Sequence, residues 1–188
     1  YMGRNNEEDA EKTLGNCFAT QILVAIVLTI VLLFGNRTFL LAFGASENTI
    51  SYAAAYMNIY AVGTIFVQLT LGLNAFITAQ GFAKTGMLSV LIGAVINIVL
   101  DPIFIFGLHM GVRGAAVATI ISQFCSAVWV LRFLCGKKAV LNLKKSAMKI
   151  SWKRVADIVS LGMSGFFMAF TNSLVQVVCN ATLQTWGG

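Results

Sequence analysis

Five stretches of this 188-residue chain contain no Asp, Glu, Lys or Arg, and the shortest of them is 16 residues long. They cover residues 13–36, 48–83, 85–100, 114–131 and 158–188. A membrane-spanning helix needs about 20 mostly apolar residues to cross the hydrocarbon layer. The spacing of the charges therefore predicts five transmembrane helices, over about 14–35, 52–79, 85–107, 114–134 and 156–185.

The composition agrees with a membrane protein. Hydrophobic residues make up 58% of the chain and charged residues only 11%. Soluble domains carry about a quarter charged residues, and disordered chains combine high charge with few apolar residues, so neither class fits. Apolar runs such as Ile22–Leu28 do not alternate with polar residues, which disfavours the strands of a membrane barrel. We expect an all-α polytopic membrane protein with about five transmembrane helices.

Eight of the 13 basic residues lie within residues 132–154, a segment without an acid. Such a cluster can indicate nucleic-acid binding, but short Lys/Arg-rich loops between membrane helices remain in the cytoplasm. We therefore interpret residues 135–155 as a cytoplasmic loop of a multi-pass protein of the cell (inner or plasma) membrane, with no nucleic-acid partner. Counting alternating spans back from this loop puts residues 1–13 in the cytoplasm as well. Apolar residues alternate with lysines over 141–152, which suggests a segment lying on the inner membrane surface.

Asp101 is the only acid in the interior of a predicted span. Because a carboxylate is costly in lipid, an intramembrane acid usually faces a cavity or a partner. Pro102 follows directly and has no N–H, so the carbonyl of Ile98 loses its helical partner and the helix is expected to bend. Asn97 lies four residues before Asp101, on the same helix face, and adds an amide oxygen.

Thr119 on the next predicted helix is the candidate third member of this site. At the helical rise of 1.5 Å per residue, Asp101 lies about 24 Å from Lys84, and Thr119 lies about 9 Å inward from Arg113 at the opposite surface. These depths are compatible, so Asp101, Asn97 and Thr119 are predicted to form one oxygen-rich site for Na⁺ or a proton. Interhelical hydrogen bonds are the alternative role of Asn97 and Thr119. Since the chain has one histidine and no Cys-x-x-Cys motif, we expect no other metal and no cofactor.

Two further patterns recur at every fourth residue of a predicted helix. The last helix carries a polar stripe which, with one glutamine of the second helix, either lines an aqueous cavity or joins helices through hydrogen bonds: Asn172, Gln176, Asn180 and Gln68. The fourth helix carries a face of small residues, which we interpret as a close packing surface: Gly114, Ala118, Ser122 and Ser126.

Two motifs follow each other where the third predicted helix ends and the fourth begins. Residues 97–102 read N-x-x-x-D-P, and residues 111–119 read G-x-x-G-A-A-x-A-T. Together with Asn74–Gly81, these motifs resemble the multidrug and toxic compound extrusion (MATE) family of transporters. The flanks agree more loosely: residues 1–18 resemble the polar loop before the family's third helix, and residues 161–188 resemble its seventh helix.

The resemblance implies helices three to seven of a twelve-helix fold that is built from two six-helix lobes. Residues 1–13 are then a cytoplasmic loop, 14–134 most of the N-terminal lobe with four transmembrane helices, 135–155 the basic loop between the lobes, and 156–188 the first helix of the C-terminal lobe. Family members export organic, often cationic, drugs or toxic compounds in exchange for Na⁺ or H⁺. The implied partners are such substrates, membrane lipid and the remaining helices of the same transporter.

The family's cation site falls on residues already selected by chemistry. In the family, the Asn and Asp of the first motif and the Thr of the second belong to this site, and here they are Asn97, Asp101 and Thr119. An acid on the family's first helix, which completes the site, has no counterpart in this chain. Two other positions depart from the family pattern: Thr78 stands where many members carry arginine, and Phe82-Ala83 replaces a common Asn-Pro.

Three other functions are weighed against this one. A lipid-linked oligosaccharide flippase of the same superfamily needs basic residues for a diphosphate, and no Arg or Lys lies mid-membrane here. A membrane enzyme needs a clustered nucleophile, base and phosphate-binding cations, which one histidine and one intramembrane acid do not supply, so we expect no enzyme. A non-transport membrane subunit, channel-like or purely structural, stays open, and ion flux without coupled drug export would support it.

Overall fold

The computed structural model describes the backbone of residues 6–186, and the side chains of that range except residues 145, 146 and 183–186. Five long helices make up most of this range: α1 (Glu7–Ala42), α2 (Ile50–Ala79), α3 (Ala83–Pro102), α4 (Val112–Leu134) and α5 (Trp152–Trp186). A π-helical turn, Ile103–Gly107, continues α3, and a 3₁₀ turn, Lys145–Met148, precedes α5. Residues 6–186 contain no strand, and all five helices are long and apolar enough to cross a membrane. The predicted all-α polytopic membrane fold is confirmed.

Helix α1 begins earlier than the charge pattern predicts, because its first turn is well capped. The Asn6 side chain accepts a hydrogen bond from the Asp9 N–H at 3.2 Å. Glu7, Glu8 and Asp9 place negative charge at the positive end of the helix dipole. Helix formation therefore starts at Glu7, within the segment 1–13 that was predicted as a loop.

Helix α2 is the central element of the fold. It packs most extensively against α1 and α4, and less against α3, which packs mainly against α4. Glycines permit close approach at these crossings: Gly63 of α2 faces Ile120 of α4, and Gly93 of α3 faces Ser126 of α4. Large apolar side chains cover the outer faces, as with Phe34 at 90% exposure, and such faces suit contact with lipid.

A buried apolar core lies where α1 begins and where α2 and α4 end. Its largest members are all fully buried, and they come from these three helices: Leu14, Leu73, Ile77, Val130 and Leu134. Because α2 and α4 both end at this core, the two helices run in the same direction through the fold. We call this the basic end of the molecule, since the Lys/Arg-rich segment 135–155 adjoins it.

The basic segment packs onto this core through Leu141. This side chain is 1% exposed, and the Leu141 N–H donates to Gln80 Oε1 at 2.8 Å. The interpretation of this segment as lying on the membrane surface is therefore wrong at Leu141, whose side chain is covered by protein. An alternation of apolar and basic residues suits a protein groove as well as a lipid surface, so the pattern alone did not distinguish them.

Polar contacts also tie the basic segment and the start of α5 to α1. Two side chains of α1 form ion pairs with this part of the chain: Glu11 Oε2 lies 2.6 Å from Lys144 Nζ, and Asp9 Oδ1 lies 2.5 Å from Arg154 Nη2. A third, Asn16, accepts a hydrogen bond at Oδ1 from the Ser151 N–H at 2.7 Å. Helix α5 makes its main contact with α1. The start of α5 is thereby fixed beside the start of α1.

Candidate cation site

Asp101 lies half-buried in the last turn of α3, beside the amide that precedes it by one turn. Asn97 Nδ2 donates to Asp101 Oδ1 at 3.2 Å, as a spacing of four residues on a helix allows. None of the ion pairs in the described part of the chain involves Asp101. Asp101, a carboxylate in a membrane span, thus has an amide partner but no countercharge among the described residues.

The helix changes form directly after Asp101. Pro102 ends α3, and Ile103–Gly107 continue as a π-helical turn in which the Leu108 N–H donates to the Ile103 carbonyl at 2.9 Å. Proline offers no N–H to the Ile98 carbonyl, so the regular hydrogen-bond pattern is interrupted here. Single π-helical turns inside helices are frequent at functional sites. The disturbance predicted at Pro102 takes the form of a change in helix type.

A cleft of about 230 Å³ opens between α2, α3 and α4. Its lining is mostly small or polar: Thr70 and Leu71 of α2; Val90, Gly93, Ala94 and Asn97 of α3; and Thr119, Ser122, Gln123 and Ser126 of α4. Asn97 and Thr119 therefore line one cleft. Asp101 is connected to the cleft through its hydrogen bond with Asn97, whereas Asp101 and Thr119 are not hydrogen-bonded to each other.

The oxygens that face this cleft have lone pairs to offer. Thr119 Oγ1 donates its proton to the Ala115 carbonyl at 2.9 Å, which leaves the hydroxyl oxygen as an acceptor. Asn97 uses its Nδ2 on Asp101, which leaves Oδ1 as an acceptor. Hydroxyl, amide and carboxylate oxygens are the ligands that hard cations prefer. The arrangement is chemically suited to holding a small cation next to Asp101.

Four polar residues of the cleft were not selected as site residues from sequence: Thr70, Ser122, Gln123 and Ser126. Gln123 follows Thr119 by one helical turn, a spacing that could have found it. Ser122 and Ser126 were interpreted as part of a packing face, and both are 2% exposed at the α3–α4 contact. Thr70 carries no sequence signal, and its hydroxyl approaches the Gln123 carbonyl at 3.5 Å across the α2–α4 contact.

The predicted cavity-lining residues are not gathered around this cleft. Asn172, Gln176 and Asn180 are exposed along α5, and none of them lines the cleft. Gln68 is half-buried on α2, but the cleft takes Thr70 and Leu71 from that helix instead. A role of these four residues in a substrate cavity stays a prediction.

The fold and the site together define a multi-pass membrane protein with a polar cleft and a carboxylate, Asp101, within one of its spans. The MatE family model matches residues 1–103, which is more than half of the chain. The chain belongs to this family of multidrug and toxic compound extrusion proteins, and the resemblance inferred from the motifs is confirmed.

Relatives and solved structures agree with this membership. The multidrug export protein MepA of Staphylococcus haemolyticus (strain JCSC1435) is 33% identical over 143 residues, which cover 76% of this chain and 32% of that protein. A crystal structure of MATE in the bent conformation matches with a TM-score of 0.87 at 24% identity, covering 97% of this chain and 41% of that one. A solved chain described as protein A matches with a TM-score of 0.93 at 30% identity, covering 99% and 42%. The chain spans about a third of the length of the curated relatives it matches.

Proposed function

We propose that this chain supplies five transmembrane helices to a cation-coupled antiporter that exports organic, often cationic, drugs or toxic compounds. The coupling ion is Na⁺ or H⁺, and it binds at Asp101 with Asn97 and Thr119 as neighbouring ligands. Family membership and the multidrug export names of the relatives support the class of activity. The ion site is supported by this chain's own chemistry.

The contact between Asn97 and Asp101 beside the polar cleft carries the proposal. It puts an intramembrane carboxylate, which has no ion-pair partner among the described side chains, next to oxygens that can act only as acceptors. A bound cation or proton neutralises that charge, which removes the cost of keeping a carboxylate within the membrane. The site with a bound cation or proton and the site without one therefore differ most in the electrostatic energy of Asp101.

The segment after Asp101 gives the site a way to act on the rest of the molecule. The chain changes from α- to π-helix at Pro102, so this is where α3 is least constrained by regular hydrogen bonds. Ion binding at Asp101 favours one arrangement of the segment, and the substrate favours the other arrangement of the transporter. Coupling requires such a difference in affinity between two states.

We extend the proposal to the layout of the whole protein. Residues 14–134 form most of the N-terminal lobe, and 156–188 the first helix of the C-terminal lobe, with the remaining helices of the transporter as partners. The basic loop 135–155 lies in the cytoplasm, and the protein resides in the cell membrane. The short, acid-free run of Lys and Arg supports this orientation.

The decisive experiment replaces Asp101 in the full-length protein. Asp101→Asn keeps the size of the side chain but removes the titratable charge, so we expect efflux of a cationic dye driven by a Na⁺ or pH gradient to fall to background. Asp157→Asn, at an exposed acid near the start of α5, is the matched control and should keep its efflux. Membrane content of both variants is compared by immunoblot. Wild-type efflux by Asp101→Asn would refute the proposed ion site, and ion flux without dye export would favour a channel-like subunit that exports no drug.

A second pair of variants tests Thr119 as a ligand. Thr119→Val keeps the shape but removes the oxygen, so the ion concentration for half-maximal efflux should rise roughly tenfold, the effect of one polar contact to a charged ligand of about 1.5 kcal/mol. Thr171→Val is the control, because Thr171 makes the same hydrogen bond to the carbonyl four residues back, at 2.9 Å, on the exposed face of α5. Equal effects of the two changes would exclude Thr119 from the ion site.

A further inference from the structure

A second pocket lies at the basic end, between the first turns of α3 and the last turns of α4. Its volume is about 410 Å³, and its lining combines apolar walls with two cations: Thr85, Leu88, Trp129, Arg132, Phe133 and Lys138. It shares no lining residue with the cleft near Asp101. The proposed transport function leaves these residues without a role.

The walls of this pocket are fixed by contacts between the two helices. Trp129 Nε1 donates to the Thr85 carbonyl at 3.3 Å, which attaches the indole ring to the start of α3. The rings of Phe82 and Phe133 meet edge to face, with their centroids 5.0 Å apart. The apolar part of the pocket is thus held in place, while Leu88 remains 39% exposed along the outer face of α3.

The two cations of the pocket have no countercharge in the described part of the chain. Ion pairs there neutralise three other basic residues of this end, namely Lys12, Lys144 and Arg154, each with an acid of α1. Arg132 and Lys138 take part in none of them, both are exposed, and no acid lines the pocket. Positive charge is therefore paired beside α1 but left unpaired beside α3 and α4.

The depth of the pocket suits the headgroups of a bilayer. Helix α3 begins at Ala83 and α4 ends at Leu134, so the pocket lies where these spans leave the hydrocarbon layer. The N-cap residue Phe82 forms no capping hydrogen bond through its side chain, so the start of α3 adds partial positive charge without a side-chain acceptor. Basic pockets between transmembrane helices are a known form of anionic-lipid site.

We propose that this Arg132–Lys138 pocket binds an anionic phospholipid. The lipid phosphate contacts the guanidinium and ammonium groups, and an acyl chain lies along Leu88 and Phe133 towards the membrane interior. Charge complementarity selects the headgroup, and the exposed apolar wall selects a lipid over a soluble anion. The site is independent of drug export and of Asp101.

The test measures lipid retained by the full-length protein. The protein is extracted from vesicles of phosphatidylglycerol and phosphatidylcholine, and native mass spectrometry counts the molecules of each lipid that stay bound. Arg132→Gln with Lys138→Gln should weaken retention of phosphatidylglycerol about 30-fold, from the loss of two cations near an anionic headgroup. Retention of phosphatidylcholine should not change.

A matched pair of variants separates this pocket from general surface charge. Lys149→Gln with Lys153→Gln also removes two exposed cations without ion pairs at the same end of the described fold, and it should retain phosphatidylglycerol as the wild type does. Equal loss in both pairs, or no loss in the pocket pair, would overturn the proposal. So would displacement of the lipid by excess inorganic phosphate, which would identify a soluble anion as the ligand. If the double variant unfolds, Lys138→Gln against Lys149→Gln gives the same comparison.

Discussion

Gly114 lies where the first turn of α4 meets the π-helical turn that follows α3. A Cβ at this position would come within 2.8 Å of the Phe104 carbonyl carbon and oxygen, and within 3.0 Å of Met110 Cβ. The backbone of Phe104 cannot rotate away as a flexible side chain can, so only glycine permits this approach. Gly162 in α5 offers a contrast, since nothing lies within 4 Å of its Cβ position.

We expect Gly114→Ala to destabilise the protein by about 1–3 kcal/mol, the usual cost of overpacking a close contact. Gly162→Ala should leave stability unchanged or raise it slightly, because alanine is the better helix former. Thermal unfolding of the two variants in one detergent provides the measurement. Equal transition temperatures would show that α4 and the π-helical turn do not depend on this contact.

At the scale of elements, Asn16 is a buried polar link between α1 and the segment that precedes α5. Its side chain is 2% exposed, and its Oδ1 accepts the Ser151 N–H at 2.7 Å. Its Nδ2 donates to the carbonyls of Lys12 and Ala147, at 2.9 and 3.4 Å. One amide group thus satisfies backbone groups on both elements, and it does so inside the protein.

Asn16→Ala should loosen the segment before α5 without unfolding the helices. The Ser151 N–H is partly buried, and losing such a hydrogen bond costs about 1 kcal/mol, so the free energy of local opening falls by that amount. Hydrogen–deuterium exchange at the Ser151 amide should accelerate accordingly, whereas Asn180→Ala, at an exposed asparagine of α5, should not change it. Unaltered exchange in Asn16→Ala would mean that other contacts hold this segment.

The number and type of the helices followed from the charge-free stretches, but the limits of α1 did not. Its start at Glu7 depends on capping by Asn6. Capping is decided by one or two residues, whereas a span is recognised from the average character of about 20 residues. Its end at Ala42 lies beyond Arg37. A single arginine near the end of a span is tolerated because its long side chain carries the charge to the interface.

About half of the candidate site could be predicted, because it depends on local spacing along the sequence. The contact between Asn97 and Asp101 depends only on a four-residue spacing within one helix, which the sequence contains. The position of Thr70 across from Gln123 depends on how α2 packs against α4, and residues 53 positions apart leave no periodic signal. The burial of Leu141 is likewise a tertiary contact that a local pattern of apolar and basic residues does not reveal.

At the scale of the whole molecule, charge distinguishes the two ends. The basic end carries the segment 135–155, while the loop between α1 and α2 at the other end holds a single charge, Glu47. Cys135 follows α4 directly at the basic end and is exposed. The chain therefore contains a natural probe for the proposed orientation.

In cells that make the full-length protein without its other cysteines, a membrane-impermeant maleimide should not label Cys135 until the membrane is permeabilised. The proposed cytoplasmic position of the basic end is the reason for this expected protection. Glu47→Cys, combined with removal of Cys135, should be labelled in intact cells, because that exposed residue belongs to the opposite end. The reverse pattern of labelling would contradict the orientation.

The central position of α2 has a consequence for how the protein is made. The ribosome synthesises α2 well before α4. These two helices run in the same direction and contact each other beside the cleft. A nascent chain must therefore insert α3 and then α4 before Thr70 and Gln123 meet. Until translation passes Leu134, α1 and α3 are the only described helices that can pack beside α2, and the polar cleft lacks its α4 wall. The proposed ion site is thus completed only when α4 enters the bilayer.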